Sequence, residues 1–251
     1  MKFKLFLIFC LVDLIAPSVG SGQQYYGSFV PPPDRTPYHL ILTINNEDGF
    51  YLNKEVNLVD QVTIVNGEKV LGSPYLFSEW LQGHLTTTDG RSYQYPVKYN
   101  AYDHTVSFFN GTDSLVADDI REFTLTIAAQ DSLITCRFIN GSQFARQKAG
   151  AYYEVILDCA KGELLKELRK NINEVTDGLL ASKGKKFFNL QTDYSFYDKT
   201  SKRLLQIELI KVKILKTLKV SDQEAINLKV DTFDFSKERD LILFFKSYCA
   251  L

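Results

Sequence analysis

The sequence has little that would point to one particular chemistry. Its 251 residues include four cysteines, three histidines, one tryptophan and one methionine, and the formal net charge is only −1. This near-neutral balance excludes a strongly basic nucleic-acid binder, and the 45% share of hydrophobic residues excludes a disordered chain. Fourteen glycines and seven prolines are too few for a collagen-like repeat or a linker-dominated protein. An ordinary globular protein remains, long enough to bury a core.

Recognisable catalytic and metal-binding motifs are also lacking. His39, His84 and His104 are not at metal-ligand spacing, and the sequence contains neither Cys-x-x-Cys nor His-Glu-x-x-His. Ser73 stands in Gly-Ser-Pro and not in the Gly-x-Ser-x-Gly elbow that exposes a nucleophile. We therefore predict no catalytic residues, no cofactor and no metal site. A hydrolase or transferase that uses His84 or His104 with a nearby carboxylate is the alternative.

The hydrophobic runs are too short for a membrane-spanning helix, which needs about 20 apolar residues. The most prominent run follows Lys2 and Lys4, ends at Pro17 and is followed by small residues at 20–22. This order is typical of a secretory signal peptide, and we predict residues 1–22 to be one, cleaved after Gly22, with cleavage after Gly20 as the alternative. The mature chain is then predicted to have no transmembrane segment. We expect an exported protein that is periplasmic, outer-membrane-associated or secreted.

Cysteine pairing is not decided by the sequence. The mature chain keeps Cys136, Cys159 and Cys249, and an odd number does not make a disulfide framework. Cys136 and Cys159 fall at apolar positions of predicted strands, which favours two buried thiols. Because export permits disulfides, a Cys136–Cys159 bridge is the alternative. Its formation depends on a strand register that the sequence does not specify.

Turn dipeptides and alternating apolar residues predict an antiparallel β fold. Phe123, Leu125 and Ile127 show the alternation, with polar residues between them. We predict a mainly β protein, α+β overall, formed by an antiparallel meander or a partly closed barrel over residues 38–210. The proline-rich residues 23–37 are predicted to be an extended N-terminus. Turns are predicted at Asp48-Gly49, Asn66-Gly67, Asp89-Gly90, Asn110-Gly111, Asn140-Gly141 and Asp177-Gly178.

Residues 211–251 predict a small helical segment that docks on the sheet, because it is too short to bury its own apolar faces. Ser221 and Glu224 form a capping box, and Ser236 is the expected cap of the last helix. The apolar stripes are predicted at Val212, Leu215 and Leu218, at Ala225, Ile226 and Val230, and at Leu241, Phe244, Phe245 and Tyr248.

Residues 162–173 fit two structures. Leu164, Leu165, Leu168 and Ile172 have helical spacing, with charged residues on the other face, and this local pattern favours a helix. The segment also follows a predicted strand and Lys161-Gly162, so the same residues could form the return arm of a hairpin.

Glycine and aromatic residues are concentrated between residues 71 and 109, and Tyr152-Tyr153-Glu154-Val155 follows later. This pattern resembles a family of uncharacterised exported proteins of Gram-negative bacteria, and the similarity continues weakly into the C-terminal helices. The resemblance implies a β-rich exported fold and a hairpin after Cys159, and it implies no activity. The motif residues are Gly72-Ser73-Pro74-Tyr75-Leu76, Glu79-Trp80, Gly83, Asp89-Gly90, Tyr93 and Lys98-Tyr99-Asn100-Ala101-Tyr102.

Five aromatic residues are the candidate ligand-binding residues: Trp80, Tyr93, Tyr95, Tyr99 and Tyr102. Aromatic faces pair with the apolar faces of sugars, whereas core packing with hydroxyls at the rim is the competing interpretation. We predict an exported, non-catalytic cell-envelope protein that binds or supports an envelope component or a small ligand, and not nucleic acid. A small-ligand carrier with an apolar barrel lumen is a further alternative.

Overall fold

The computed structural model describes residues 39–45, 51–57, 62–129, 132–144, 150–175 and 185–251. The predicted signal peptide, the proline-rich segment 23–37 and the turns at Asp48-Gly49 and Asp177-Gly178 lie outside these residues. The strands are β1 (His39–Asn45), β2 (Tyr51–Asn57), β3 (Val62–Val65), β4 (Glu68–Leu71), β5 (Leu81–Thr87), β6 (Ser92–Asn100), β7 (Thr105–Phe109), β8 (Ser114–Ala117), β9 (Ile120–Ala129), β10 (Ser132–Asn140), β11 (Tyr152–Asp158), β12 (Gly162–Val175), β13 (Lys185–Asp198) and β14 (Arg203–Ile207). The helices are α1 (Lys211–Leu218), α2 (Asp222–Asn227) and α3 (Glu238–Ala250).

Twelve of these strands form one sheet, in the order β3-β4-β13-β12-β11-β10-β9-β5-β6-β7-β8, with β14 paired to the second half of β13. Its described pairings are antiparallel except that of β4 with β13, which is parallel. The sheet does not close into a barrel. Strands β1 and β2 pair antiparallel in a separate two-stranded sheet. The predicted fold class, a mainly β protein with a small helical C-terminal part, is therefore confirmed, with a mixed rather than purely antiparallel sheet.

Tight turns connect neighbouring strands at three of the predicted dipeptides, whereas Asn140-Gly141 opens a short 3₁₀ helix, Gly141–Gln143, between β10 and β11. Asn66 and Gly67 join β3 to β4, with φ angles of 51° and 80°. Two successive residues at positive φ form the type I′ turn, whose twist matches that of a two-stranded hairpin. Asp89-Gly90 and Asn110-Gly111 likewise lie between paired strands.

Strand β12 corrects the helix that the local pattern favoured over residues 162–173. It pairs with β11 on one side and with β13 on the other, so the hairpin that the family resemblance implied is present. The sheet is covered on both faces here, because Leu164 and Leu165 point to opposite sides and are both fully buried. Apolar residues on both faces abolish strict alternation, and their spacing then imitates that of a helix.

Gly162 begins β12 at a point where two strands approach closely. A Cβ atom there would lie 2.3 Å from the carbonyl oxygen of Tyr197 and 2.4 Å from the ring of Phe196. Both atoms belong to the partner strand β13, so the backbone itself would have to move to admit a methyl group.

Replacing Gly162 with alanine is expected to destabilise the protein by about 3 kcal/mol, because overpacking against backbone has few ways to relax. The measurement is thermal unfolding, with an expected fall in Tm of roughly 6–12 °C. Gly67→Asn is the control, since no atom lies within 4 Å of the added Cβ and asparagine tolerates positive φ. Equal melting temperatures for Gly162→Ala and the wild type would contradict the close approach.

The inner face of the sheet carries two apolar clusters. The first is filled by aromatic rings: Phe123 and Phe138 stack with ring centroids 4.8 Å apart, and Tyr99 packs on both at 5.4 and 5.8 Å. The second lies beneath the helices, where Phe196 of β13 meets Phe245 of α3 at 5.0 Å. A smaller cluster on the opposite, outer face includes Tyr153, Val155 and Leu165.

The helical segment confirms some predicted positions and corrects others. The capping box of Ser221 and Glu224 opens α2, and Leu241, Phe244 and Phe245 form the buried stripe of α3. Helix α3 begins after Lys237, whereas the hydroxyl of Ser236 donates to Asp234 and does not cap it. Val212 and Ile226, predicted to be buried, are 70% and 69% exposed, and α1 buries Ile214 and Leu218.

Cys159 forms a disulfide with Cys249, with Cα atoms 6.2 Å apart. The prediction of buried free thiols is therefore confirmed for Cys136 and wrong for Cys159, and the alternative Cys136–Cys159 bridge is wrong. Cys136 is free and buried, because it faces the core from the middle of β10. Cys159 instead lies in the turn between β11 and β12, at the end of the sheet where α3 finishes.

Candidate functional site

The Gly-Ser-Pro-Tyr-Leu motif forms a bridge between two strands that are distant in the sheet. Residues 73–76, the bridging segment, bond to β6 through Leu76 N to Tyr99 O at 2.8 Å. On the other side, Nζ of Lys170 in β12 donates to the carbonyl oxygens of Ser73 and Tyr75 at 2.8 and 2.5 Å. Much of the motif is therefore scaffold that links β6 to β12.

Lys170 is buried, and burial lowers its pKa to about 8. A pKa below the ordinary value of 10.5 means that the native state disfavours the charged form. The amine therefore contributes stability that is fully present above pH 10.5 and is lost as the pH falls through 8.

The stability difference between the wild type and Lys170→Met is expected to rise in favour of the wild type by about 3 kcal/mol between pH 8 and pH 10.5. Urea unfolding at several pH values in this window measures the difference. Lys216→Met, which changes an exposed lysine of α1, is the control and should show a flat difference. A flat difference for Lys170→Met as well would mean that Lys170 titrates as it does in water.

The five aromatic candidates do not form one platform. Tyr99 lies in the core, 1% exposed, with its hydroxyl 2.7 Å from Nδ1 of His104, so it is not available to a ligand. Tyr93 and Tyr95 stack at the rim of the first inner cluster. Tyr102 packs edge-on against Phe188, away from them. Trp80 lies on the outer face, as its contacts with Lys98 and Phe109 show.

Trp80 belongs to a group that we name the outer aromatic cluster: Tyr75, Trp80, Lys98 and Phe109. Strand register brings it together, because Lys98 pairs with Ser107 and Phe109 lies two residues further along the same face. The Trp80 and Phe109 ring centroids are 6.1 Å apart. Nζ of Lys98 lies 4.6 Å from the Tyr75 ring centroid and 5.5 Å from that of Trp80. One side of the indole is thus supported, while 36% of the residue stays exposed.

Polar side chains continue the outer face beyond this cluster in straight rows across the strands. Gln82 of β5 pairs with Thr126 of β9, which pairs with Thr135 of β10. In the next row, the backbone N–H of His84 donates to the hydroxyl of Thr124 at 3.1 Å. These side chains are exposed or half-buried, so they present hydrogen-bonding groups to solvent beside the tryptophan.

Three charged side chains form a buried row on the inner face. Glu154, Lys166 and the first residue of α3, Glu238, are all at most 6% exposed. Nζ of Lys166 lies 3.0 Å from Oε1 of Glu238 and 3.8 Å from Oε2 of Glu154. Burial raises the pKa of Glu154. Burial alone would lower the pKa of Lys166, but Glu238 and Glu154 outweigh it and raise that pKa.

The two histidines considered for an enzyme occupy separate surroundings. His84 is exposed on the outer face of β5, whereas the ring of His104 bonds the hydroxyl of the core residue Tyr99. Within the described part of the chain, no group of three His, Cys, Asp or Glu residues is placed to hold a metal ion. No helix among the same residues is both long and apolar enough to cross a membrane.

Trp80 was predictable as a candidate from the sequence, whereas the residues that surround it were not. The β6–β7 register places Lys98 and Phe109 beside the indole, and an isolated β-bridge to Asn100 places Tyr75 there. The alternation along β6 was the sequence signal that could have indicated Lys98, because it places Lys98 on the face of the strand opposite to Val97 and Tyr99. Comparison with protein-family models, with curated proteins and with solved structures found no match. The geometry of the chain therefore carries the functional argument alone.

Proposed function

We propose that this protein is an exported binding protein of the cell envelope that holds a glycan strand on the outer face of its sheet. The observation that carries the proposal is the exposed indole of Trp80, supported on one side by Phe109 and Lys98. A sugar ring can stack on such a ring, because its apolar face matches the aromatic surface. An anchor that is already held in position loses little conformational freedom on binding.

The polar rows beside Trp80 supply the second half of a glycan site. Gln82 and Thr126 lie directly opposite each other, and Thr126 is followed by Thr135. Amide and hydroxyl groups both donate and accept hydrogen bonds, as sugar hydroxyls do. A few placed polar groups next to an aromatic surface are typical of sites that orient a ligand.

The interior of the fold favours surface binding over carriage or catalysis. The inner face of the sheet is filled here by the packed rings of Tyr99, Phe123 and Phe138, so an apolar lumen gains no support. The buried carboxylates and Lys166 lie beneath α3, where a substrate would not reach them. Export is supported by the signal-peptide pattern and by the Cys159–Cys249 bridge, which an oxidising compartment permits.

Replacing Trp80 with alanine is expected to weaken binding to purified peptidoglycan sacculi by about tenfold, because a central aromatic anchor is lost. Co-sedimentation of the chain from residue 23 onwards with the sacculi measures the affinity. Tyr102→Ala is the matched control, since Tyr102 is 37% exposed, packs elsewhere and should bind like the wild type.

Circular dichroism must show that both variants are folded. Should Trp80→Ala unfold, Trp80→Leu keeps apolar bulk while removing the aromatic face. Unchanged affinity of a folded Trp80 variant would contradict the proposal, as would an equal loss in Tyr102→Ala.

A further inference from the structure

Lys98 differs from three other described lysines in what surrounds its ammonium group. Lys166 faces Glu238, Lys199 faces Asp158, and Lys170 donates to backbone carbonyl oxygens. Nζ of Lys98 instead lies over the rings of Tyr75 and Trp80. Among the residues that the structure describes, no carboxylate forms an ion pair with it.

The position of Lys98 makes its charge available to a ligand. The side chain is half-buried on the outer face, and burial lowers its pKa. Ring faces attract the cation but accept no strong hydrogen bond from its three N–H groups. A partly desolvated ammonium beside an exposed indole therefore has donors left for an anionic acceptor, and such charge-assisted bonds are the strong ones.

We infer that the outer aromatic cluster selects a glycan that carries carboxylate groups, with Trp80 stacking on a sugar ring and Lys98 bonding a carboxylate. The inference rests on the proposed function and deepens it by naming the charge of the ligand. Charge complementarity is the physical reason: the cluster contains one cation and no acid, and Nζ of Lys98 lies 5.5 Å from the centroid of the ring on which the sugar would lie.

The test compares purified peptidoglycan sacculi with the same sacculi after their carboxyl groups have been coupled to glycinamide by carbodiimide. The sugar rings are unchanged by this treatment, whereas the negative charge is removed. Wild-type protein is expected to bind the untreated sacculi about tenfold more tightly, and 0.5 M salt should reduce that preference.

Two variants of Lys98 separate its charge from its packing. Lys98→Met keeps an unbranched apolar stem over the rings but has no charge, so it should bind both preparations with the lower affinity. Lys98→Arg keeps the charge and should retain most of the preference for untreated sacculi. A packing role alone predicts the same change on both preparations for each variant.

Equal binding of the two preparations by the wild type would overturn the inference, and so would an unchanged preference in Lys98→Met. Neither result touches the proposed function as long as Trp80→Ala still weakens binding to both preparations. If Trp80→Ala binds both like the wild type, or if the wild type binds neither, the proposed function fails and the inference fails with it.

Discussion

Replacing Lys166 with methionine is expected to lower the free energy of unfolding by about 3–5 kcal/mol, the range found when one partner of a buried ion pair is removed. The substitution keeps the apolar stem and removes the ammonium group. Glu154 and Glu238 then share a buried site with no cation between them. Because α3 contributes Glu238, the loss should first loosen the helix from the sheet.

Strand register brings Glu154 and Lys166 together, and the packing of α3 adds Glu238. Glu154 of β11 is directly opposite Lys166, and Lys166 is directly opposite Tyr194 of β13. The charge of each of these charged side chains is therefore balanced by its neighbours. Oε1 of Glu154 has no hydrogen-bond partner among the described residues. An unpartnered buried carboxylate oxygen is costly, which makes the ion pair of Glu154 with Lys166 the more important.

The Lys166→Met variant should lose stability as the pH rises. A carboxyl group whose native pKa is raised, as that of Glu154 is, favours folding when protonated, so its contribution is present at low pH and lost as the pH rises through the native pKa. Without Lys166 the pKa of Glu154 rises further. Urea unfolding at pH 5 and pH 8 should therefore show a larger deficit at pH 8.

Two controls identify the cause. Lys186→Met removes an exposed ion pair with Glu68 and should cost less than about 1 kcal/mol. A triple variant with methionine at 154, 166 and 238 removes every charge of the row and should recover much of the lost stability. If the triple variant were as unstable as Lys166→Met, packing and not charge would explain the result.

The strands were predictable from the sequence where one face of a strand is buried and the other is exposed to solvent. Phe123, Leu125 and Ile127 alternate with polar residues, and β9 has that one-sided burial. The same reasoning failed for β12, where both faces are covered. In α1, the set Val212, Leu215 and Leu218 and the pair Ile214 and Leu218 both have helical spacing, so spacing alone does not tell which face is buried.

The surroundings of the candidate site could be predicted less well, because they depend on contacts between distant parts of the chain. Trp80 precedes β5 and Phe109 ends β7. Their contact depends on the register of β6, which lies between these two strands, and the sequence does not specify that register. Lys166 and Glu238 are 72 positions apart and meet because α3 packs on the inner face of the sheet. The prediction for Cys159 was wrong for the same reason, because its partner Cys249 lies in that helix.

Opening the Cys159–Cys249 bridge is expected to lower the free energy of unfolding by about 4 kcal/mol, because the bridge closes a long loop in the unfolded chain. The two cysteines are 90 positions apart. The bridge fastens the C-terminal end of α3 to the β11–β12 turn, while Glu238 fastens its N-terminal end to Lys166. Loss of the bridge should therefore expose the apolar stripe of α3 before the sheet unfolds.

Thermal unfolding with and without dithiothreitol measures this effect, and the expected fall in Tm is about 8–16 °C. The double variant Cys159→Ser, Cys249→Ser should melt at the lower temperature in both conditions, because it has no bridge to reduce. Cys136 is unpaired, so a response of the double variant to reductant would point to another pairing. If the wild type kept its Tm after thiol titration had shown complete reduction, packing of Phe244 and Phe245 alone would hold α3 on the sheet.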